Sequence, residues 1–421
     1  MEKAVNLGCV NGIEIYHIKT DKFKTETISF FIQNQLDEKT VSMNAILPDI
    51  LKRGSKTYPT LKEISAKLDN MYGASFVSDI MKKGENHIIH FAVDYVCGKY
   101  LDEDLFTEAA DLLFDILTNP NIDGNKFNEE YLEQEKANLI SFIESRINDK
   151  TEYAYERCIE EICKGEAFAL YEYGDAGIVK NIKNEDLVRH YYDVMKTAKK
   201  YIFITGPEYE TKLSYLTEKI KKCMGEKSEN RCGFDSDVSI RSESSGIKYI
   251  NDEMDINQGK LCMGFLTNTK PTDDDYMSLF MYNAVLGGSG FVNSKLFLNV
   301  RERESLAYYV YSNLEKFKGL MIISCGIDIN EKQKAIDVIF EQMEEMKKGN
   351  ISDFEMDYTK STVIYSLNAI RDGQMRLTDY YFNQMISGTN KDFDQFIDEI
   401  IKVTKEDIIK VSKKIVPEII Y

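Results

Sequence analysis

Apolar residues fall into two kinds of pattern along the chain, and both kinds recur twice in the same order. Short runs rich in β-branched and aromatic residues read as strands. They are residues 27–32 (Thr-Ile-Ser-Phe-Phe-Ile) and 88–93 (Ile-Ile-His-Phe-Ala-Val) in the first half, and 260–265 (Lys-Leu-Cys-Met-Gly-Phe) and 320–325 (Leu-Met-Ile-Ile-Ser-Cys) in the second. A helical period follows each pair. Phe106, Ala109, Ala110 and Leu113 share one helix face, as do Ile336, Ile339, Phe340 and Met343. A turn and a long helix come next, over 127–148 and 354–371, with Asp353 the expected N-cap of the second. Later, Lys183-Asn184-Glu185-Asp186-Leu187 answers Thr404-Lys405-Glu406-Asp407-Ile408. Acidic residues open both helices, where the helix dipole favours them. A strand over 201–204 and then Gly206-Pro207 close the first half.

Such a duplication predicts an α+β protein of two homologous halves. Each half would be an antiparallel-rich sheet with helices packed on it, and the two would enclose a chamber. The 421 residues suffice, at roughly 150 residues per domain. The halves are expected at 1–225 and 247–421. Between them, 226–246 is polar, Ser-rich and poor in large apolar residues, and reads as a linker.

Composition narrows the class. The net charge is −17, so the surface repels nucleic acid and anionic lipid. It would attract basic peptides, although charge by itself favours plain solubility. No apolar run approaches the roughly 18–20 residues that span a bilayer. The N-terminal residues lack a basic stretch followed by an apolar one, so a cytoplasmic protein without a signal peptide is expected. The eight cysteines are scattered, with no Cys-x-x-Cys. They read as reduced thiols, several of them buried, and not as a disulfide framework.

Three segments carry a family resemblance that covers essentially the whole chain. Leu51-Lys52-Arg53-Gly54-Ser55 is followed by Leu61-Lys62-Glu63-Ile64 and Asn70-Met71-Tyr72-Gly73-Ala74. Glu133-Gln134-Glu135-Lys136-Ala137-Asn138-Leu139-Ile140 is the second. The third, and the most specific, runs from Asn283-Ala284-Val285-Leu286-Gly287-Gly288 through Phe297 to Arg301-Glu302-Arg303-Glu304-Ser305-Leu306-Ala307-Tyr308. Together they resemble the insulinase/pitrilysin metallopeptidases, the family that includes the mitochondrial processing peptidase.

Active members of that family carry His-x-x-Glu-His on a first-half helix. Two histidines bind zinc there, and the glutamate activates the metal-bound water. Aligning Leu51-Lys52-Arg53-Gly54-Ser55 with the family pattern puts this motif at Ala45-Ile46-Leu47-Pro48-Asp49. Ala45 then replaces the first histidine, Pro48 the glutamate and Asp49 the second histidine. The distant third ligand falls at Phe142, or at Ser141 if the register slips by one. Pro48 adds an independent objection, since proline inside a helix costs about 3 kcal/mol. The four histidines, His17, His87, His90 and His190, form no other zinc motif. His87 and His90 lie on one expected strand at a spacing that points them to opposite faces. No metal or other cofactor is therefore expected in this chain.

The second half keeps Arg301 and Tyr308. The resemblance implies that they hold the substrate backbone and the developing oxyanion, opposite a zinc site. A guanidinium and a phenol are suitable donors for an oxygen that gains charge. They are expected to flank a turn between a helix over 293–303 and a strand over 307–313. Gly287-Gly288-Ser289-Gly290 lacks the Gly-Lys-Ser/Thr of a phosphate loop and reads as a turn. Asp273-Asp274-Asp275 lacks the spacing of a calcium loop and reads as a solvated helix start. Phe291, Phe297 and Tyr309 read as core.

A lost zinc half-site beside a retained Arg/Tyr pair implies a non-catalytic subunit. Its partner would be a zinc-bearing chain of the same family, and the heterodimer would process or degrade short or unfolded peptides. Zinc would sit only in the partner, and the isolated chain could form a homodimer. Neither nucleic acid nor a membrane span enters this reading. The alternatives are a peptide- or protein-binding scaffold, in which Arg301 and Tyr308 are dispensable, and, last, a stand-alone zinc peptidase using Asp49.

Overall fold

The computed structural model describes residues 2–224, 240, 246–288 and 290–421. Nearly all of the expected linker lies outside the described residues. Two compact units emerge, and they interleave in sequence. One comprises Met1–Ser145, Leu170–Asp235 and Arg371–Phe382, the other Arg146–Ala169, Ser236–Ile370 and Asn383–Tyr421. The units therefore differ from the two sequence halves by two exchanged segments.

The first unit contains strands β1 (Ala4–Val10), β2 (Ile13–Lys19), β3 (Thr25–Gln35), β4 (Ser75–Lys83) and β5 (Asn86–Val96). A small hairpin of β6 (Ile122–Asp123) and β7 (Lys126–Phe127) follows, and then β8 (Lys199–Gly206). The main sheet is six-stranded, in the order β1-β2-β8-β3-β5-β4. Its neighbours are antiparallel except β2 and β8. Ile28, Phe30 and Ile32 of β3 enter a core shared with helices Val41–Lys52, Phe106–Thr118 and Asn184–Thr197. Phe31 points the other way and is also buried. Its cover comes from far along the chain. Phe382 stacks on Phe31 with ring centres 3.9 Å apart and meets Phe203 and Tyr201 edge-on. Gln374 fixes the segment by accepting from Thr25 Oγ1 at 2.8 Å and donating to the Thr205 carbonyl at 2.9 Å.

The second unit contains β9 (Lys248–Tyr249), β10 (Gly259–Leu266), β11 (Ala307–Glu315), β12 (Leu320–Ile327) and β13 (Val416–Ile420), in the order β11-β12-β10-β13-β9. Phe265 of β10 meets Phe340 of helix Lys332–Lys347 edge-on. Cys262 and Leu266 alternate to the opposite face, where helix Lys150–Ile162 supplies Ala154, Cys158, Ile159 and Ile162. Each fully buried isoleucine of that kind contributes about 1.5–3 kcal/mol. Gly264 makes the approach possible: a Cβ there would lie 2.2 Å from Ile162 Cδ1 and 2.8 Å from Ile419 Cγ2.

Three local expectations need adjusting. Asp353 does not cap its helix. Ser352 does, donating its N–H and hydroxyl to Glu355 and accepting the Glu355 N–H at 3.2 Å, while Asp353 pairs with Lys405. The helix Val41–Lys52 runs unbroken through Pro48, because its packed surroundings outweigh the lost hydrogen bond. Six cysteines are free thiols, five of them buried, but Cys9 is disulfide-bonded. It lies on the exposed edge strand β1, where no packing encloses it. No helix among the described residues is long and apolar enough to cross a membrane.

Replacing Gly264 with valine should lower stability by about 1–3 kcal/mol through overpacking against Ile162. Urea unfolding measures this, and Ile162→Ala in the same chain should recover part of the loss. An unchanged midpoint for Gly264→Val would contradict the close approach.

Candidate functional site

The helix Val41–Lys52 is held at its N-terminal end by buried polar contacts. Ser42 Oγ accepts the Asp175 N–H at 3.2 Å, and Gly174 allows that approach. Asn44 bridges two histidines, with Nδ2 3.2 Å from His87 Nδ1 and Oδ1 2.8 Å from His190 Nε2. Burial lowers the pKa of both histidines, His87 to about 4. His90 stacks on Phe31 at 4.2 Å, so His87 and His90 do face opposite sides of the sheet. All four histidines are buried.

One side of that helix brings Ala45, Pro48 and Asp49 to a cavity of about 390 Å³. Glu135, Asn138, Leu139 and Phe142 of helix Glu129–Ser145 form a second wall, since residues three, four and seven apart share a helix face. Edge strand β4 contributes Ser78, Asp79 and Ile80, and Tyr173 completes the lining. The four positions that the family resemblance aligns with the zinc motif thus converge, although almost a hundred residues of chain separate Ala45 from Phe142. Phe142 lines the cavity and Ser141 does not. Phe142 is 49% exposed, and its ring lies 4.6 Å from that of Tyr173.

The donors at these positions do not fit a zinc ion. Ala45, Pro48 and Phe142 end in carbon, and Asp49 offers one carboxylate. Among the described residues, no group of three or more His, Cys, Asp or Glu side chains is placed to hold a metal. Burial raises the carboxyl of Asp49, Glu135 raises it further, and Lys52 and Arg53 act against both. Burial likewise raises Asp79, against an opposing hydrogen bond from the Ile80 N–H. Glu135 is neutralised: it pairs with Arg53 and accepts from Asn138 Nδ2 at 3.0 Å. Sequence reasoning assigned no role to Glu135, Asp79 or Tyr173. Only Glu135 carried a signal, seven residues before Phe142 on the same helix face. A more open cavity of about 660 Å³, lined by Lys39, Met43, Ile178 and His190 among others, holds none of the motif positions.

Arg301 and Tyr308 belong to the second unit. Residues Phe297–Arg303 form a wide π-helical turn, a distortion often found at functional sites. The chain then reverses through Ser305, whose φ of 53° is left-handed. The Glu304 N–H donates to the Asn299 carbonyl at 3.1 Å and the Leu306 N–H to the Val300 carbonyl at 2.9 Å. Arg301 and Tyr308 therefore flank one hydrogen-bonded turn. The guanidinium carbon of Arg301 lies 4.8 Å over the Phe297 ring, and its side chain is 43% exposed. Tyr308, on edge strand β11, is 67% exposed. Phe291, Phe297 and Tyr309 are half-buried, which corrects their expected place in the core. Phe297 supports Arg301. Tyr309 sits on the edge strand, donating to Thr151 Oγ1 at 3.1 Å with Lys260 over its ring.

Residues 181–363 match the model of a family described as the peptidase M16 inactive domain. The chain is 33% identical over 406 residues to a probable inactive metalloprotease, YmfF, of Bacillus subtilis (strain 168), covering 96% of this chain and 94% of the relative. It is 21% identical over 425 residues to an uncharacterized zinc protease, YmxG, of the same organism, covering 97% and 95%. A conserved protein from Enterococcus faecalis V583, solved by crystallography, superposes with a TM-score of 0.89 at 26% identity, covering 99% of this chain and 97% of that one.

The convergence of the four positions can be checked with zinc itself. Ala45→His, Pro48→Glu, Asp49→His and Phe142→Glu introduced together should bind about one zinc per chain, measured by metal analysis after dialysis. The same set with Ser141→Glu in place of Phe142→Glu should bind none. The opposite outcome would shift the helix register by one residue.

Proposed function

The chain belongs to the M16 peptidase family, the insulinase/pitrilysin metallopeptidases, and we propose that within it this protein is the non-catalytic subunit of a peptide-cleaving heterodimer. A non-catalytic, peptidase-like role is supported by the match to the M16 inactive domain and by the identity with a probable inactive metalloprotease. The finer reading rests on one observation. The first-unit cavity offers no metal donor at Ala45, Pro48 or Phe142, while Arg301 and Tyr308 stand solvent-facing around an ordered turn.

In this reading the zinc-bearing partner supplies the activated water. This chain supplies hydrogen-bond donors for the peptide carbonyl. As water adds, the carbonyl oxygen gains negative charge, and Arg301 meets it with a permanent cation. The Tyr308 hydroxyl adds a directional donor. Preorganised donors of this kind are typically worth about 10²–10³-fold in rate each. Phe297, packed under the guanidinium, restricts the Arg301 side chain before substrate arrives. Short or unfolded peptides are the substrate class, because the scissile bond must be extended to reach both subunits.

The pure chain with stoichiometric zinc should cleave no peptide. A complex with a zinc-bearing family member should cleave, and Arg301→Ala or Tyr308→Phe in this chain should slow it by about 10²–10³-fold. Full activity of both variant complexes would support a scaffold instead. Hydrolysis by the pure chain would remove the partner from the account.

A further inference from the structure

A bulge in edge strand β11 sets where Tyr308 points. Pairing with β12 passes from Ala307 opposite Ile327 directly to Tyr309 opposite Gly326, so Tyr308 is an extra residue without a partner across the ladder. An inserted residue of this kind bends the strand and re-aims its side chain. Tyr308 is 67% exposed, so its direction comes from the backbone beneath it and not from packing around its ring. The bulge must itself be held, because a strand that slips by one residue exchanges its two faces.

Tyr309 supplies the hold. Lys260 of β10, Gly326 of β12 and Tyr309 of β11 form one row across the sheet. The central member has no side chain, and the Tyr309 ring occupies the space instead. A Cβ on Gly326 would lie 2.4 Å from Cε1 and 2.8 Å from Cδ1 of that ring. Glycine inside a strand often marks such a close approach. Lys260 reaches over from the far side of the row, its Nζ 5.0 Å from the ring centre. The Tyr309 hydroxyl donates to Thr151 Oγ1 at 3.1 Å, in the first turn of helix Lys150–Ile162. Tyr311 stacks beside Tyr309 with ring centres 5.9 Å apart. Further along, Ser312 and Asn283 of helix Tyr276–Gly287 exchange two hydrogen bonds of 3.3 Å. The residue after Tyr308 is thus fixed in one place, and the strand beyond it is pinned.

We propose that Tyr309, seated on Gly326, is the positioning residue for Tyr308: it locks the bulge that turns the Tyr308 phenol outward to meet the peptide carbonyl. The proposal rests on the reading of Tyr308 as a donor to that carbonyl. Tyr309 itself touches no substrate and acts through its neighbour. With the Tyr309 ring removed, the seat on Gly326 is open, and a one-residue slip would drop the Tyr308 ring into it.

The test joins cleavage by the complex with a zinc-bearing family member to a measurement on this chain by itself. In the complex, Tyr309→Ala should lower kcat by about 10²-fold with little change in KM. In a chain that already carries Tyr308→Phe, Tyr309→Ala should slow cleavage by less than about threefold more, since it has no phenol left to position. Tyr309→Phe keeps the ring on its seat and should recover the rate to within about threefold. In the isolated chain, nitration of Tyr308 by tetranitromethane, read by peptide mass spectrometry, should fall several-fold in Tyr309→Ala. If Tyr309→Ala does not fold, Gly326→Ala replaces it: this variant keeps Tyr309 but denies its ring the seat, and should show the same kcat loss and a several-fold change in Tyr308 nitration. Full activity of Tyr309→Ala in a complex that Tyr308→Phe slows would overturn the positioning role and leave the donor role standing. Equal losses with and without the Tyr308 hydroxyl would overturn it too, since they mark a merely structural residue. If Tyr308→Phe costs nothing, the donor role fails, and nitration decides the positioning: an unchanged Tyr308 rate overturns it and a reduced one upholds it.

Discussion

Both sheets of this protein are apolar on two faces, and that constraint organises everything else. A sheet buried on both sides needs two layers of cover. In each unit the local helices supply one layer. The second layer comes from the other half of the sequence: Phe382 and Gln374 on the first sheet, and Ile159 and Ile162 on the second. Without them, Phe31 and Phe203 in one unit, and Cys262, Leu266 and Ile322 in the other, would face water. The exchange also explains Gly264, a glycine inside a central strand, as the place where a helix comes close enough to complete the core.

Much of this was legible in the sequence, and the limits have physical causes. The strands over 27–32, 88–93, 260–265 and 320–325 and the helices after them could be read because periodicity reports local burial. The exchange could not be read. An amphipathic pattern says that a helix has an apolar face and is silent on which sheet that face covers. The cap at Ser352 was misassigned by one residue because serine and aspartate both suit the position, and only the reciprocal bond with Glu355 distinguishes them. Phe297 and Tyr309 looked like core because composition cannot mark an edge strand or a ring placed under a guanidinium.

The site divides the same way. That Ala45, Pro48 and Phe142 offer no metal donor follows from residue identity. What fills the cavity instead does not. Asp79 and Tyr173 lie far from the motif in sequence; edge strand β4 packs beside helix Val41–Lys52, and the Tyr173 ring meets that of Phe142. Arg301 and Tyr308 are similar: their spacing is readable in the sequence, and their exposure comes from the folded turn through Ser305. The proposed shared site needs a cavity without metal donors in the first unit and an ordered, solvent-facing donor pair in the second, and both are present.

That claim is most directly tested by mixing this chain with a zinc-bearing M16 chain and resolving the mixture by size. Metal content and cleavage of an unstructured peptide are then followed across the elution profile. The account predicts a heterodimer peak with about one zinc per pair and cleavage confined to that peak. Cleavage that follows the zinc-bearing chain eluting by itself, undiminished by the absence of this one, would contradict it.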